Sequence, residues 1–313
     1  MQDEFDFTKP YAAFDPDSYA ANAPFKPAAS KFYDAAVANQ LFEISGKSER
    51  FAAGDTLFVE NEKSGRLGLF GKRVVHRMYL VKSGEVTLSL AGKHLDTIKA
   101  GEIFGEMAVV GETAAGSARS ATATVKSDCT ALSLDSDELQ AALLRTPEFA
   151  LMLMSVMFDR LRIVAARLAA RKIAPGKDSA REAAVFDGAA LAGLEQKLEQ
   201  KLEHATTTHY AAAKTIMNQG DAGTSMYIVL DGRVGIFING KAVESIATGG
   251  MFGEMALVDH SPRTASAVAE TDCALLAINR DALIALVKSE PAVGMTMLRS
   301  VAARLRHMNA LLS

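Results

Sequence analysis

The pattern of apolar and polar positions changes period several times along the chain. From Lys31 to Phe42 the apolar residues Phe32, Ala35, Ala36, Ala38, Leu41 and Phe42 recur at helical spacing, which predicts an amphipathic helix. After Gly54-Asp55 the period shortens: Thr56-Leu-Phe-Val, Met78-Tyr-Leu-Val, Gly84-Glu-Val-Thr-Leu-Ser-Leu and Leu95-Asp-Thr-Ile are short β-prone runs, separated by turns such as Lys82-Ser-Gly84 and Ala91-Gly-Lys93. Many short strands with polar or glycine turns predict a sandwich or jelly-roll barrel. A further strand, Cys129 to Leu134, leads into a helical pattern that Asp135 or Ser136 is suited to cap. Pro147 interrupts that pattern before it resumes over Phe149 to Leu168.

The whole succession then recurs. Val185 to Glu203 reads as a helix, and Thr215-Ile-Met, Met226-Tyr-Ile-Val-Leu, Gly232-Arg-Val-Gly-Ile-Phe-Ile and Val243-Glu-Ser-Ile follow as strands. An offset of 148 pairs Tyr79 with Tyr227, Gly84 with Gly232, Val86 with Val234, Gly92 with Gly240 and Phe104 with Phe252. Further on the offset is 144, pairing Cys129 with Cys273, Pro147 with Pro291 and Arg160 with Arg304, so the first copy carries four extra residues in between. The predicted fold class is therefore α+β: two jelly-roll β-sandwich domains, each with flanking N- and C-terminal helices. The boundaries are set at 31–172 and 183–313, with a linker at 173–182 where Pro175 and Gly176 lie between two helical patterns.

Residues 1–30 stand apart. Phe5, Phe7, Tyr11, Phe14, Tyr19 and Phe25 are scattered among acidic residues, and Pro10, Pro16, Pro24 and Pro27 forbid a continuous helix. This is an extended aromatic and acidic arm, laid either on its own first domain or on a second subunit or partner. The chain is 49% hydrophobic and 23% charged, enough apolar material for packed cores. A net charge of -3 gives no electrostatic reason to bind nucleic acid or an anionic membrane. No apolar run is long enough to span a bilayer and the first thirty residues lack a signal-peptide pattern, so a cytoplasmic protein is expected. Cys129 and Cys273 occupy matching positions in separate repeats, which makes them buried strand residues rather than a pair. Arg160, Arg162, Arg167, Arg171 and Lys172 form a basic helix face, expected to be solvated, or else to dock an acidic partner.

The strongest repeated feature is Phe252-Gly-Glu-Met-Ala-Leu-Val258 followed by Pro262-Arg-Thr-Ala265, with its counterpart Phe104-Gly-Glu-Met-Ala-Val-Val110. Gly253 lets the backbone approach a ligand closely, and Glu254, Met255 and Ala256 begin a short helix whose free N–H groups face an anion. Glu254 is suited to accept a sugar hydroxyl's hydrogen bond, since a buried carboxylate needs such a donor or a cation. Arg263 offers a fixed fork of donors to phosphate oxygens, Thr264 adds a hydroxyl, and Pro262 restricts the turn that presents them. A cyclic nucleotide, with one cyclic phosphate charge and a ribose 2′-hydroxyl, matches this donor and acceptor set. In the first copy Gly105, Glu106, Met107 and Ala108 correspond, as do Arg119 and Ser120. There, however, thirteen positions separate Glu106 from Arg119 where nine separate Glu254 from Arg263, and no proline precedes Arg119. The bland alternative is a turn at Gly-Glu and an arginine paired with an acidic neighbour in a jelly roll without ligand.

These residues resemble the phosphate-binding cassette of the cyclic-nucleotide-binding domain family, which includes the bacterial catabolite activator, the regulatory subunit of cAMP-dependent protein kinase and cyclic-nucleotide-gated channels. The resemblance implies that Gly253 with Glu254 hold ribose and Arg263 with Thr264 hold phosphate, and it assigns Gly105, Glu106, Arg119 and Ser120 the same roles in the first copy. It implies cAMP as ligand, with cGMP compatible with the hydroxyl at Thr264. It also implies that the last helix, Ala292 to Leu312, closes over the second base with Met295, Met297, Leu298, Val301, Leu305 and Met308 as apolar contacts and Arg304 reaching inward. Regulators of transcription in this family carry a helix-turn-helix after that helix; the sequence read here runs to Ser313 directly after it, so direct DNA binding is not expected, and no pseudosubstrate-like segment occurs in residues 1–50.

The expected function is a cytoplasmic cyclic-nucleotide receptor that regulates an unidentified protein partner, with no nucleic acid or membrane as partner and with homo-oligomers possible. The alternative is a structural or assembly protein built on ligand-free jelly rolls. The six histidines, His76, His94, His204, His209, His260 and His307, show neither metal-ligand spacing nor a nucleophile constellation, so no catalytic or metal residue is assigned.

Overall fold

The computed structural model describes residues 35–64, 75–111, 117–170, 205–259 and 261–312. The arm at 1–30, the 173–182 linker, the helix expected over Val185 to Glu203 and most of the longer first loop lie outside these residues. The described part divides into two units. The first holds 35–161 and 281–312, and the second holds 162–280.

In the first unit, helix α1 (Ala35–Ser45) leads to strands β1 (Lys47–Phe51), β2 (Thr56–Phe58), β3 (Met78–Leu90), β4 (Lys93–Ile98) and β5 (Ile103–Phe104), the short helix α2 (Glu106–Val110) and strand β6 (Thr122–Leu134). Every pairing is antiparallel, in the order β1-β6-β3-β4, with β2 added to β6 and β5 to β3. The two runs predicted at Met78 and Gly84 form the single strand β3, bent where Gly84 sits at φ +86. A side chain there would strike the backbone of Asp128 and Cys129, so only glycine allows the two strands to approach this closely. Apolar side chains alternate into a core of Phe58, Tyr79, Val81, Val86, Leu88, Ile98, Phe104, Ala123, Val125, Cys129 and Ala131.

Helix α3 (Ser136–Arg145) starts at Asp135, whose carboxylate accepts from Glu138 N at 3.0 Å while Glu138 accepts from Asp135 N at 3.0 Å. This reciprocal capping box selects Asp135 over Ser136 as the cap. Pro147 ends the pattern as expected, and helix α4 (Phe149–Ala170) follows. From Phe149 to Phe158 every residue of α4 is buried, as suits a helix that is apolar on all sides. Residues 149–161 of α4 belong to the first unit and 162–170 to the second.

The second unit repeats the β-structure as β7 (Ala205–Tyr210), β8 (Thr215–Met217), β9 (Ser225–Asp231), β10 (Arg233–Ile238), β11 (Lys241–Ala247), β12 (Met251–Phe252), β13 (Ser266–Ala269) and β14 (Cys273–Asn279), with helix α5 (Glu254–Asp259) between β12 and β13. Two antiparallel sheets result, ordered β11-β10-β13-β8 and β12-β9-β14-β7. Tyr227 stacks on Phe252 with centroids 5.1 Å apart and planes at 20°, the same values as Tyr79 on Phe104. Cys129 and Cys273 are free and buried in both copies, as expected.

Helices α6 (Arg280–Ser289) and α7 (Pro291–Leu312) end the chain. From Asp281 onward they belong to the first unit. Lys288 pairs with Glu148 at 2.9 Å, and Gly294 lies so close to Ala150 that an added Cβ would sit 2.9 Å from its methyl. Met297, Leu298, Val301, Leu305 and Met308 are buried. The helix assigned from sequence to close over the second base therefore packs in the unit that holds the first cassette. Among the described residues no helix is long and apolar enough to cross a membrane.

Candidate ligand-binding sites

In the second unit, β12 delivers the chain to Gly253 at φ +79 and α5 starts at Glu254. Glu254 is 1% exposed and Ala256 3%, while Met255 is half-buried. Arg263, 4% exposed, donates from Nη1 to Gly253 O at 2.7 Å and from Nη2 to Ser225 O. Burial lowers the Arg263 pKa from its ordinary value, opposed by Tyr227, Glu254 and Asp221. The loop presenting it is held by Arg263 N to Asp221 O and Gly220 N to Arg263 O, both at 2.8 Å. Gly223 leaves room beneath: a Cβ there would meet Ala256 Cβ at 2.5 Å and Arg263 Cζ at 3.0 Å. Thr264 is half-buried and accepts a 3.4 Å hydrogen bond from Arg162 Nε, and Ser261 Oγ accepts from Arg162 Nη2 at 2.9 Å.

The first cassette follows the same plan. Gly105 sits at φ +78 as the N-cap of α2, Glu106 is fully buried, and Arg119, 4% exposed, donates from Nη1 to Gly105 O at 3.2 Å. In both copies the arginine thus rests on the carbonyl of the cassette glycine. A phosphate oxygen could replace that neutral carbonyl as acceptor, adding ion pairing to a hydrogen bond whose donor is already charged.

The surroundings differ. Arg119 lies 3.8 Å above the Phe58 ring, a favourable cation–π contact. Glu106 is ion-paired with Arg160 of α4, which also donates to Ile103 O at 3.0 Å. Ser120 Oγ donates to Met107 Sδ at 3.4 Å, and Ser117 Oγ donates to Ala108 O at 2.5 Å while lying 3.1 Å from His76 Nδ1. His76 is fully buried, and desolvation, with Arg119 nearby, lowers its pKa to about 4. Arg306 of α7 donates to Met107 O at 2.9 Å, its guanidinium filling the space beside Gly111.

The structure thus gathers each cassette's glycine, carboxylate and arginine within one unit, Gly105, Glu106 and Arg119 in the first and Gly253, Glu254 and Arg263 in the second. It overturns the solvated basic face at Arg160 and Arg162, while Arg171 and Lys172 lie outside the described residues. Arg160 and Arg162 are largely buried, their charges met by the buried Glu106 carboxylate in one case and by the half-buried loop hydroxyls of Ser261 and Thr264 in the other. Sequence reasoning missed the contacts of Arg162, Arg306 and His76. The 144-residue offset that pairs Arg160 with Arg304 also pairs Arg162 with Arg306, and that recurrence was the available signal. Among the described residues there is no cluster of three or more His, Cys, Asp or Glu placed to hold a metal.

Comparison with known families agrees with the repeat. The profile described as "Cyclic nucleotide-binding domain" matches residues 48–146 and 207–290, more than half of the chain. The chain belongs to the cyclic nucleotide-binding domain family. Over 102 residues it is 38% identical to the cyclic AMP receptor protein of Thermus thermophilus, covering 31% of this chain and 47% of that protein. The chain thus spans about half the length of that relative. A crystal structure of the Thermus thermophilus catabolite activator protein aligns at 32% identity, covering 42% of this chain and 62% of that one, with a TM-score of 0.36. The regulatory domain of Toxoplasma gondii PKA, crystallised with cAMP, aligns at 21% identity over 82% of this chain and 87% of that one, with a TM-score of 0.27. The chain is a tandem cyclic-nucleotide-binding protein, in which two repeats of antiparallel sheet each carry one cassette.

Proposed function

We propose that the protein is a cyclic-nucleotide receptor, with cAMP as ligand and cGMP as the competing candidate, built from two jelly-roll domains whose sequence repeats are bounded at 31–172 and 183–313, although from Asp281 onward the helices of the second repeat belong to the first unit. Gly253 and Glu254 hold the ribose of the second site, Met255 and Ala256 continue the cassette backbone, and Arg263 and Thr264 take the phosphate. Gly105, Glu106, Met107, Ala108, Arg119 and Ser120 form the first site. The observation that carries this reading is the recurrence of one geometry: a left-handed glycine, a buried carboxylate, and a buried arginine resting on the glycine carbonyl. The 38% identity to a cyclic AMP receptor protein supports cAMP over cGMP. The protein acts by binding rather than catalysis, in the cytoplasm, and hands the bound state to a protein partner through its helices or through the 1–30 arm.

Calorimetric titration of the intact protein with cAMP, cGMP and the open-chain monophosphate tests the proposal. Saturable binding of a cyclic nucleotide is expected, with one binding event lost in Arg263→Ala and another in Arg119→Ala. No binding by the intact protein, with both variants indistinguishable from it, overturns the receptor reading in favour of a ligand-free assembly protein.

A further inference from the structure

The second phosphate loop has a cation beside it that the cassette pattern does not contain. Arg162 of α4 is 7% exposed, and its guanidinium reaches the two hydroxyls that flank Arg263, Ser261 Oγ at 2.9 Å and Thr264 Oγ1 at 3.4 Å. A guanidinium only donates, so both hydroxyl oxygens serve it as acceptors. The Thr264 proton then points away from Arg162, because a hydroxyl that accepts on one side donates on another. The guanidinium also supplies a permanent positive charge next to the expected seat of a singly charged phosphodiester.

The first loop is arranged differently. Its matching hydroxyls donate to protein acceptors, Ser120 Oγ to Met107 Sδ and Ser117 Oγ to Ala108 O. Arg306, the repeat counterpart of Arg162, donates to the backbone carbonyl of Met107 instead of to loop hydroxyls.

Resting on the receptor reading, we infer that Arg162 is a positioning and specificity-determining residue of the second site. It orients Thr264 as a donor to one of the two exocyclic oxygens of a cyclic phosphate, making that site stereoselective at phosphorus. The first site, whose loop hydroxyls are turned onto the protein, lacks this selectivity.

The test uses the full chain carrying Arg119→Ala, which silences the first site, titrated with cAMP and with its two diastereomers in which sulfur replaces one exocyclic oxygen. The Arg119→Ala protein should prefer one diastereomer clearly. Arg162→Met and Thr264→Val should each weaken cAMP by about ten-fold, as for loss of one hydrogen bond to a charged group. Each should also bring the affinity ratio of the diastereomers towards one, and the double variant should be no worse than either single variant because the residues act as a unit. Arg162→Lys, which keeps the charge and the helix contact, should recover part of the cAMP affinity without restoring the ratio. An unchanged ratio in both Arg162→Met and Arg162→Lys overturns the inference, and so does strict additivity with Thr264→Val. Absence of cyclic-nucleotide binding by the Arg119→Ala protein itself overturns the receptor reading of the second site, and this inference with it.

Discussion

Gly253→Ala places a methyl group where the Arg263 guanidinium now lies. The residue sits at φ +79, and an added Cβ would be 2.7 Å from Arg263 Nη1 and 3.3 Å from Ser225 O. The left-handed backbone alone costs an L-residue roughly 1–2 kcal/mol. The nitrogen must also withdraw from Gly253 O, and a hydrogen bond to a charged group is worth about 1.5–3 kcal/mol. Together these destabilise the second unit by about 2.5–5 kcal/mol. Gly240→Ala is the control, because Gly240 has φ +73 and nothing lies within 4 Å of its Cβ position. It should show the backbone cost alone. Gly105→Ala, whose Cβ would lie 3.0 Å from Arg77 O and 3.1 Å from Arg119 Nη1, should fall between the two. The chain has no tryptophan, so urea unfolding followed by circular dichroism is the assay. Equal destabilisation by Gly253→Ala and Gly240→Ala would refute the reasoning, since the guanidinium would then not occupy the position seen here.

Two further outcomes follow from buried charge. Arg160→Ala leaves the fully buried Glu106 without its cation, which should cost about 3–5 kcal/mol in the same urea assay; adding Glu106→Gln should recover most of it, and a loss under about 1 kcal/mol for the single variant would contradict a structural ion pair. His76 has its pKa lowered to about 4 from 6.5, so the folded state binds fewer protons than the unfolded state between those values. Stability is then fully present above about 6.5 and falls as pH drops through the window to about 4, by roughly 2 kcal/mol between pH 7 and pH 5. The loss should be absent from the pH dependence of His76→Gln; parallel profiles for the two proteins would rule out His76 as the source.

Much of the architecture is legible in the chain because it is written locally. Alternating apolar residues place β3 and β6, Asp135 and Pro147 bound the helices around them, and the two glycine-glutamate steps mark where each short strand turns into a short helix. Strand β1, Lys47-Ser-Glu-Arg-Phe51, escaped the reading because it is an edge strand with mostly exposed, polar side chains and no apolar alternation. β7 is also an edge strand, although its run of threonines, Thr206 to Thr208, was a β-branched signal that could have been used.

The tandem repeat, the strand and helix succession, and the residue types of both cassettes can all be read along the chain, since each depends on spacing within one element or on likeness between copies. Which arginine reaches which cassette is set by long-range packing. Arg160 meets Glu106 across 54 residues, Arg162 meets Ser261 across 99, and Arg306 meets Met107 across 199. Helical period tells which residues share a face, but a face carries no address. A buried carboxylate, a loop hydroxyl and a backbone carbonyl are each acceptable to a guanidinium, and packing of the apolar remainder of α4 and α7 selects among them.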